Sequence, residues 1–177
     1  MLDIKSLNEL GQILDSLGIE RDYAERRGLP VFAEAEQLVS AGPNIVGNEQ
    51  QLEAVTAGQW VGMRQAAEAE GIDLLLVSGY RSYAYQASLI KRKLEAGESL
   101  NDVLAVNAPP GCSEHHTGCA VDIATPGYPP LTESFERSDA FQWLEKNAQS
   151  HGFSMSYPRS NAYGYIYEPW HWSRRLL

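Results

Sequence analysis

Basic residues are scarce in this chain: 14 Lys and Arg stand against 23 Asp and Glu, a formal charge of −9 over 177 residues. That balance excludes modes of action that work by neutralising phosphates, so no nucleic-acid partner is expected. Long apolar runs are missing too. No stretch approaches the roughly 18 apolar residues of a membrane-spanning helix. The segment from Met1 to Leu17 alternates charged and apolar residues without the apolar region of a signal peptide. The chain as it stands therefore reads as cytoplasmic, with no membrane span, or as periplasmic or wall-associated if an export signal has been removed from it. Cysteine is nearly absent, and the two present, Cys112 and Cys119, are too few for a disulfide framework. Histidine is almost as rare, with four in all.

What is present is the composition of a globular protein, 44% hydrophobic and 21% charged, at a length that suits one well-buried core. Ser6 is placed to cap a helix with Leu7, Leu10, Ile13, Leu14 and Leu17 on one face and Gly18 past its end. From Arg21 to Gly47, glycines and prolines punctuate short apolar pieces, which predicts loops and one short strand at most. Asn48 is then expected to cap a long helix ending at Gly71, followed by a buried strand from Asp73 to Ser78. Ser82 caps the next helix, which stops at Gly97; Ala105 to Thr117 reads as a loop. Cys119 to Ala124 alternates as a strand with Cys119, Val121 and Ile123 on one side and Ala120 and Asp122 on the other. A helix from Ser138 closes at His151-Gly152, and Phe153–Tyr157 and Tyr163–Glu168 read as two aromatic strands. The order predicts an α+β fold, a single domain with a small, mainly antiparallel sheet flanked by helices. Residues 1–47 would be a lead-in packed on a core formed by 48–177.

Three of the four histidines lie beside carboxylates, in the segments Ser113-Glu114-His115-His116-Thr117-Gly118-Cys119-Ala120-Val121-Asp122 and Glu168-Pro169-Trp170-His171. Two histidines and one carboxylate suffice for a catalytic zinc that keeps a fourth position open. By itself a His near an Asp is more often a hydrogen-bonded pair, and Cys112-x-x-His115-His116-x-x-Cys119 also has the outline of a structural zinc cluster. Gly118 allows the bend that would bring His115 to Asp122. Pro169 forbids a helix interior through Glu168 to His171, so this is a strand end or turn, and a bulge or twist is needed before both residues address one ion. Trp170 and Trp172 suit either core packing or a pocket wall.

With Ser78-Gly79-Tyr80-Arg81-Ser82 ahead of them, these segments form three ordered motifs. Together they resemble the VanY-like D-alanyl-D-alanine carboxypeptidases, zinc peptidases with the Hedgehog/D,D-peptidase fold; the likeness covers most of Asn48 to Trp172. The resemblance implies zinc held by His115, Asp122 and His171, with Glu168 as catalytic base and Arg81 stabilising the oxyanion. It sets His116 apart, at a position the family often fills with Gln, which the residues alone could not do. The substrate would be a peptidoglycan stem peptide or muropeptide, cut by a monomer. Ser113 and Gln86 are candidates for the terminal carboxylate, and Trp170 for the pocket wall, although Ser113 also suits a turn cap and Gln86 a solvated surface. The same site would serve an L,D-carboxypeptidase or a D-Ala-D-Ala dipeptidase; a binding module without catalysis would not need Glu168 and Arg81 together.

Overall fold

The computed structural model describes residues 4–174. Helix α1 (Ile4–Ser16) is already running at Ile4, so Ser6 lies inside it rather than capping it, while Gly18 takes the expected left-handed conformation past its end. A short helix α2 (Tyr23–Arg27) follows. Strands β1 (Leu38–Pro43) and β2 (Glu49–Glu53) pair antiparallel as a two-stranded ribbon.

Here the structure departs from expectation: residues after Asn48 form β2, and helix α3 (Ala54–Ala69) begins only at Glu53, whose carboxylate accepts from Val55 N and Thr56 N. Helical propensity in Glu49–Leu52 yields to pairing with β1, which buries Leu52 completely. Strand β3 (Leu75–Ser78) leads through Gly79 to helix α4 (Tyr83–Glu95), capped by Ser82 as predicted. The stretch after it carries a further helix, α5 (Leu100–Val106), capped by Ser99, so the loop begins later than Ala105.

Strand β4 (Ala120–Ala124) is buried along its whole length. Helix α6 (Asp139–Asn147) is capped by Ser138. Strands β5 (Phe153–Met155) and β6 (His171–Arg174) complete an antiparallel four-stranded sheet in the order β3-β4-β6-β5. The expected strand over Tyr163–Glu168 does not form. Asn161 accepts from the backbone of both Tyr163 and Tyr165, and Gly164 is left-handed, so the segment coils. Its tyrosines pack around Tyr157 instead of pairing in the sheet.

The main core joins α3 (Trp60, Met63, Ala67) to the sheet (Leu76, Val121, Ile123, Phe153, Trp172) and α6 (Phe141, Leu144). A second core joins Leu10, Leu14 and Leu17 of α1 to Tyr83, Ile90, Val103 and Leu104. Val121 and Ile123 face the first core, so the strand's alternation turns Asp122 to the opposite side. No helix among the described residues is long and apolar enough to cross a membrane.

Candidate active site

Asp122 lies mid-strand in β4, opposite Ser78 of β3 and His171 of β6. The register thus brings the Glu168–His171 segment to Asp122. A reverse turn does the rest: His171 N donates to Glu168 O at 3.1 Å with Pro169 at the second position, where its fixed φ fits, so Glu168 and His171 both reach one site. The turn replaces the bulge or twist that the sequence required.

His115 arrives from a single 3₁₀ turn, Glu114–Thr117, closed by left-handed Gly118. A side chain at Gly118 would lie 2.8 Å from Glu53 N, whose N–H donates to Gly118 O; the bend is thereby seated on the start of α3. Glycine is required at Gly79 by close approach, since a Cβ there would meet Gln51 O at 2.6 Å.

The His115, Asp122 and His171 ligand atoms all lie within 4.8 Å of one another, and all three residues are buried. His115 Nδ1–H donates to Gly79 O at 2.6 Å, which leaves Nε2 with a lone pair facing Asp122 Oδ2 at 3.2 Å. That nitrogen is buried and has no hydrogen-bond partner among the described residues. Two acceptors in contact need a cation between them. His171 Nδ1 lies 3.0 Å from Asp122 Oδ1, and its Nε2 lies 2.9 Å from Glu114 Oε2. These separations suit neighbouring ligands of a tetrahedral zinc, roughly 3.3 Å apart for bonds of about 2.0 Å. The donor set, two imidazoles and a carboxylate with an outer carboxylate on one imidazole, fits a catalytic zinc.

The electrostatics agree. Burial, and then the Arg81 charge, push His115 down to about 4, so it is neutral and free to ligate. Burial would also lower His171, but the Asp122 and Glu114 carboxylates raise it to about 10; a metal ion held there would take the place of that proton. Asp122 is buried, which would raise it, yet the neighbouring histidines and the Arg81 guanidinium 2.8 Å away hold it well below the usual carboxylate range. Glu168 behaves in the opposite way: burial, aided by Asp122 and Glu114 against His171 and Arg81, pushes it up to about 7. Its Oε2 is 4.0 Å from His171 Nδ1, beside the cluster rather than inside it.

Arg81 Nη2 donates to Asp122 Oδ2 at 2.8 Å, and Nη1 donates to Gln86 Oε1 at 3.4 Å. Gln86 is buried rather than solvated, with Nε2 committed to Ala108 O at 2.8 Å, so its amide holds Arg81 where both line the cleft. Ser113 is buried and lines a small cleft with Arg81, Gln86, Tyr165 and Glu168. Trp170 belongs to the main core and also lines a second, larger cleft. The two clefts, about 50 and about 360 Å³, share Arg81, Val106, Asn107 and Glu168.

His116 is fully committed elsewhere. Nδ1–H donates to Arg81 O at 2.6 Å, Nε2 accepts from Gly111 N at 3.1 Å, and Tyr83 packs edge-on against the ring. Cys112 and Cys119 are both free and buried, and Cys119 Sγ is 3.5 Å from Thr117 O. Sequence reasoning missed Glu114 and Tyr157, whose ring lies 4.7 Å from that of His171. Adjacency to His115 was the signal for Glu114; Tyr157 carried none.

Residues 49–174 match the model of the VanY family, D-alanyl-D-alanine carboxypeptidase, and the chain belongs to that family. It is 38% identical over 117 residues to YodJ of Bacillus subtilis (strain 168), covering 62% of this chain and 41% of that protein. Among solved structures it resembles the LdcB LD-carboxypeptidase with a TM-score of 0.71 and 32% identity, covering 80% of this chain and 69% of the other. It shares the fold of the vancomycin-resistance D,D-pentapeptidase VanY from a VanB-type cassette, solved with Zn(II), at TM-score 0.63 and 24% identity over 82% of each chain. The chain spans less than half the length of the first curated relatives it matches.

Proposed function

We propose that this chain is a zinc-dependent carboxypeptidase that removes a C-terminal D-alanine from peptidoglycan peptides, with His115, Asp122 and His171 as the metal ligands. The observation that carries this reading is the orphaned, buried Nε2 of His115 facing Asp122, with Glu168 set beside the cluster. Zinc in such a site lowers the pKa of water from about 15.7 to roughly 7 and polarises a carbonyl. Glu168, raised to about 7, takes the proton from the attacking water and returns it to the departing amine. Arg81 offers five donors and spends two on Asp122 and Gln86, so others remain for the oxygen that becomes anionic. No covalent intermediate is needed.

Removal of one residue at a time fits the two unequal clefts that meet at Arg81 and Glu168. The smaller, with Ser113 and Tyr165, receives the departing residue, and the larger receives the rest of the peptide. The likeness to LdcB supports a second reading, cleavage of tetrapeptides as an L,D-carboxypeptidase. Zinc-loaded protein incubated with muropeptides ending in penta-, tetra- and tripeptides, followed by mass spectrometry, separates the two. Loss of one alanine from the pentapeptide supports the first reading, and loss from the tetrapeptide the second. Release of a dipeptide, or no shortening at all, would contradict both.

A further inference from the structure

The larger cleft runs outward from Asp122 and Glu168 along one face of α4, where Tyr85, Leu89 and Lys93 recur at four-residue spacing. Its lining gathers exposed large hydrophobics: Tyr85 (51%), Leu131 (47%), Ile166 (39%) and Val106 (38%). Leu131 stands there in the left-handed conformation, φ 57, which a side chain such as leucine adopts only when its surroundings impose it. Lys93 adds a cation at the helix side of this cleft, apart from the Arg81 guanidinium, which is already bonded to Asp122. Lys91, two residues earlier, pairs with Glu95 at 3.8 Å, whereas Lys93 has no ion-pair partner among the described residues. The cleft's own carboxylates, Asp122 and Glu168, are at its inner end, and Asp122 is already bonded to Arg81.

We infer that this cleft seats the acyl side of the substrate, and that Lys93 selects peptides with a free carboxylate on the second or third residue before the scissile bond. The inference rests on the carboxypeptidase reading above. The position follows from geometry. Tyr85 to Lys93 spans roughly 12 Å of helix at 1.5 Å per residue. Lys93 lines the same cleft of about 360 Å³ as Asp122 and Glu168, and a lysine on a helix leans back toward the N-terminal end, so we place its ammonium about two to three residues of extended chain from the reacting centre. On a surface of net charge −9, an unpaired lysine lining the cleft is where an acidic peptide gains a local attraction against the overall field. Stem peptides meet the requirement through a D-glutamyl carboxylate or a diacid side chain.

The test uses N-acetylated peptides ending in D-Ala-D-Ala that differ only in Glu or Gln at the second or third residue before the bond. The zinc-loaded protein should favour the Glu peptide at one of these positions by about fivefold in kcat/KM at low salt, the scale of one partly exposed ion pair. The preference should shrink in about 0.5 M salt. It should fall to near unity in Lys93→Met and invert in Lys93→Glu. A ratio near one in the wild type, or one unchanged in Lys93→Met, overturns the inference. Cleavage of none of the peptides would overturn the carboxypeptidase reading instead. Calorimetric binding to Glu168→Gln keeps the two apart: equal affinity for Glu and Gln peptides there removes the role of Lys93 whatever the cleavage result.

Discussion

Glu114 and His171 are joined by a 2.9 Å hydrogen bond from Nε2 to Oε2, and Ser156 Oγ donates to the same carboxylate oxygen at 2.5 Å. Glu114 thus fixes the His171 ring and leaves Nδ1 to face Asp122. A carboxylate behind a ligating histidine orients it and raises its basicity. Glu114→Ala should weaken zinc binding by about 10- to 100-fold, measured by competition with a chromophoric chelator, with Glu114→Gln losing less. Equal affinity in the alanine variant would show that the bond does not serve the metal.

The two hydrogen bonds of His116 tie the Arg81 carbonyl to the loop at Gly111. His116→Leu strands the buried Gly111 N–H, at a cost of about 1–3 kcal/mol, frees the half-buried Arg81 carbonyl, and should lower kcat by releasing the Arg81 loop. Glutamine offers a donor and an acceptor of similar reach, so His116→Gln should restore most of both. If leucine and glutamine gave the same kcat in folded protein, His116 would be packing alone.

Arg81 pairs with Asp122 and bonds to Gln86 on α4, so it stands between the cluster and that helix. Arg81→Ala should lower kcat by about two orders of magnitude or more, as loss of an oxyanion donor does. Lysine should recover only part, because it lacks the planar fork. An alanine variant that melts far earlier but turns over normally when folded would assign Arg81 to structure.

Cys112 is buried, and burial pushes its thiol up to about 12. With both cysteines free, an aromatic disulfide reagent at about pH 8 should react slowly with the native protein and with both thiols once it is unfolded. Two unreactive sulfurs in denaturant would reveal a disulfide instead.

The sequence exposed the sheet strands β3 and β4 because one is a short apolar run ending at Gly79 and the other alternates just after Gly118, and it exposed the ligands because three histidines beside carboxylates are rare enough to notice. It hid whatever depends on partners distant in the chain. Glu49–Leu52 reads as helix until β1 is beside it, and Tyr163–Glu168 reads as strand until Asn161 captures its backbone. The separation of His115 from His116 came from family resemblance alone, yet the structure supplies a physical cause: one ring spends both nitrogens on backbone, and the other keeps Nε2 free.

The central claim is that three buried ligands hold one zinc while Glu168 moves protons beside it. Its most direct test is elemental analysis of active protein, wild type against Glu168→Gln, after exhaustive dialysis. The account predicts about one zinc per chain in both, with hydrolysis of a D-Ala-terminated peptide only in the wild type. Active wild-type protein containing no first-row metal would contradict it.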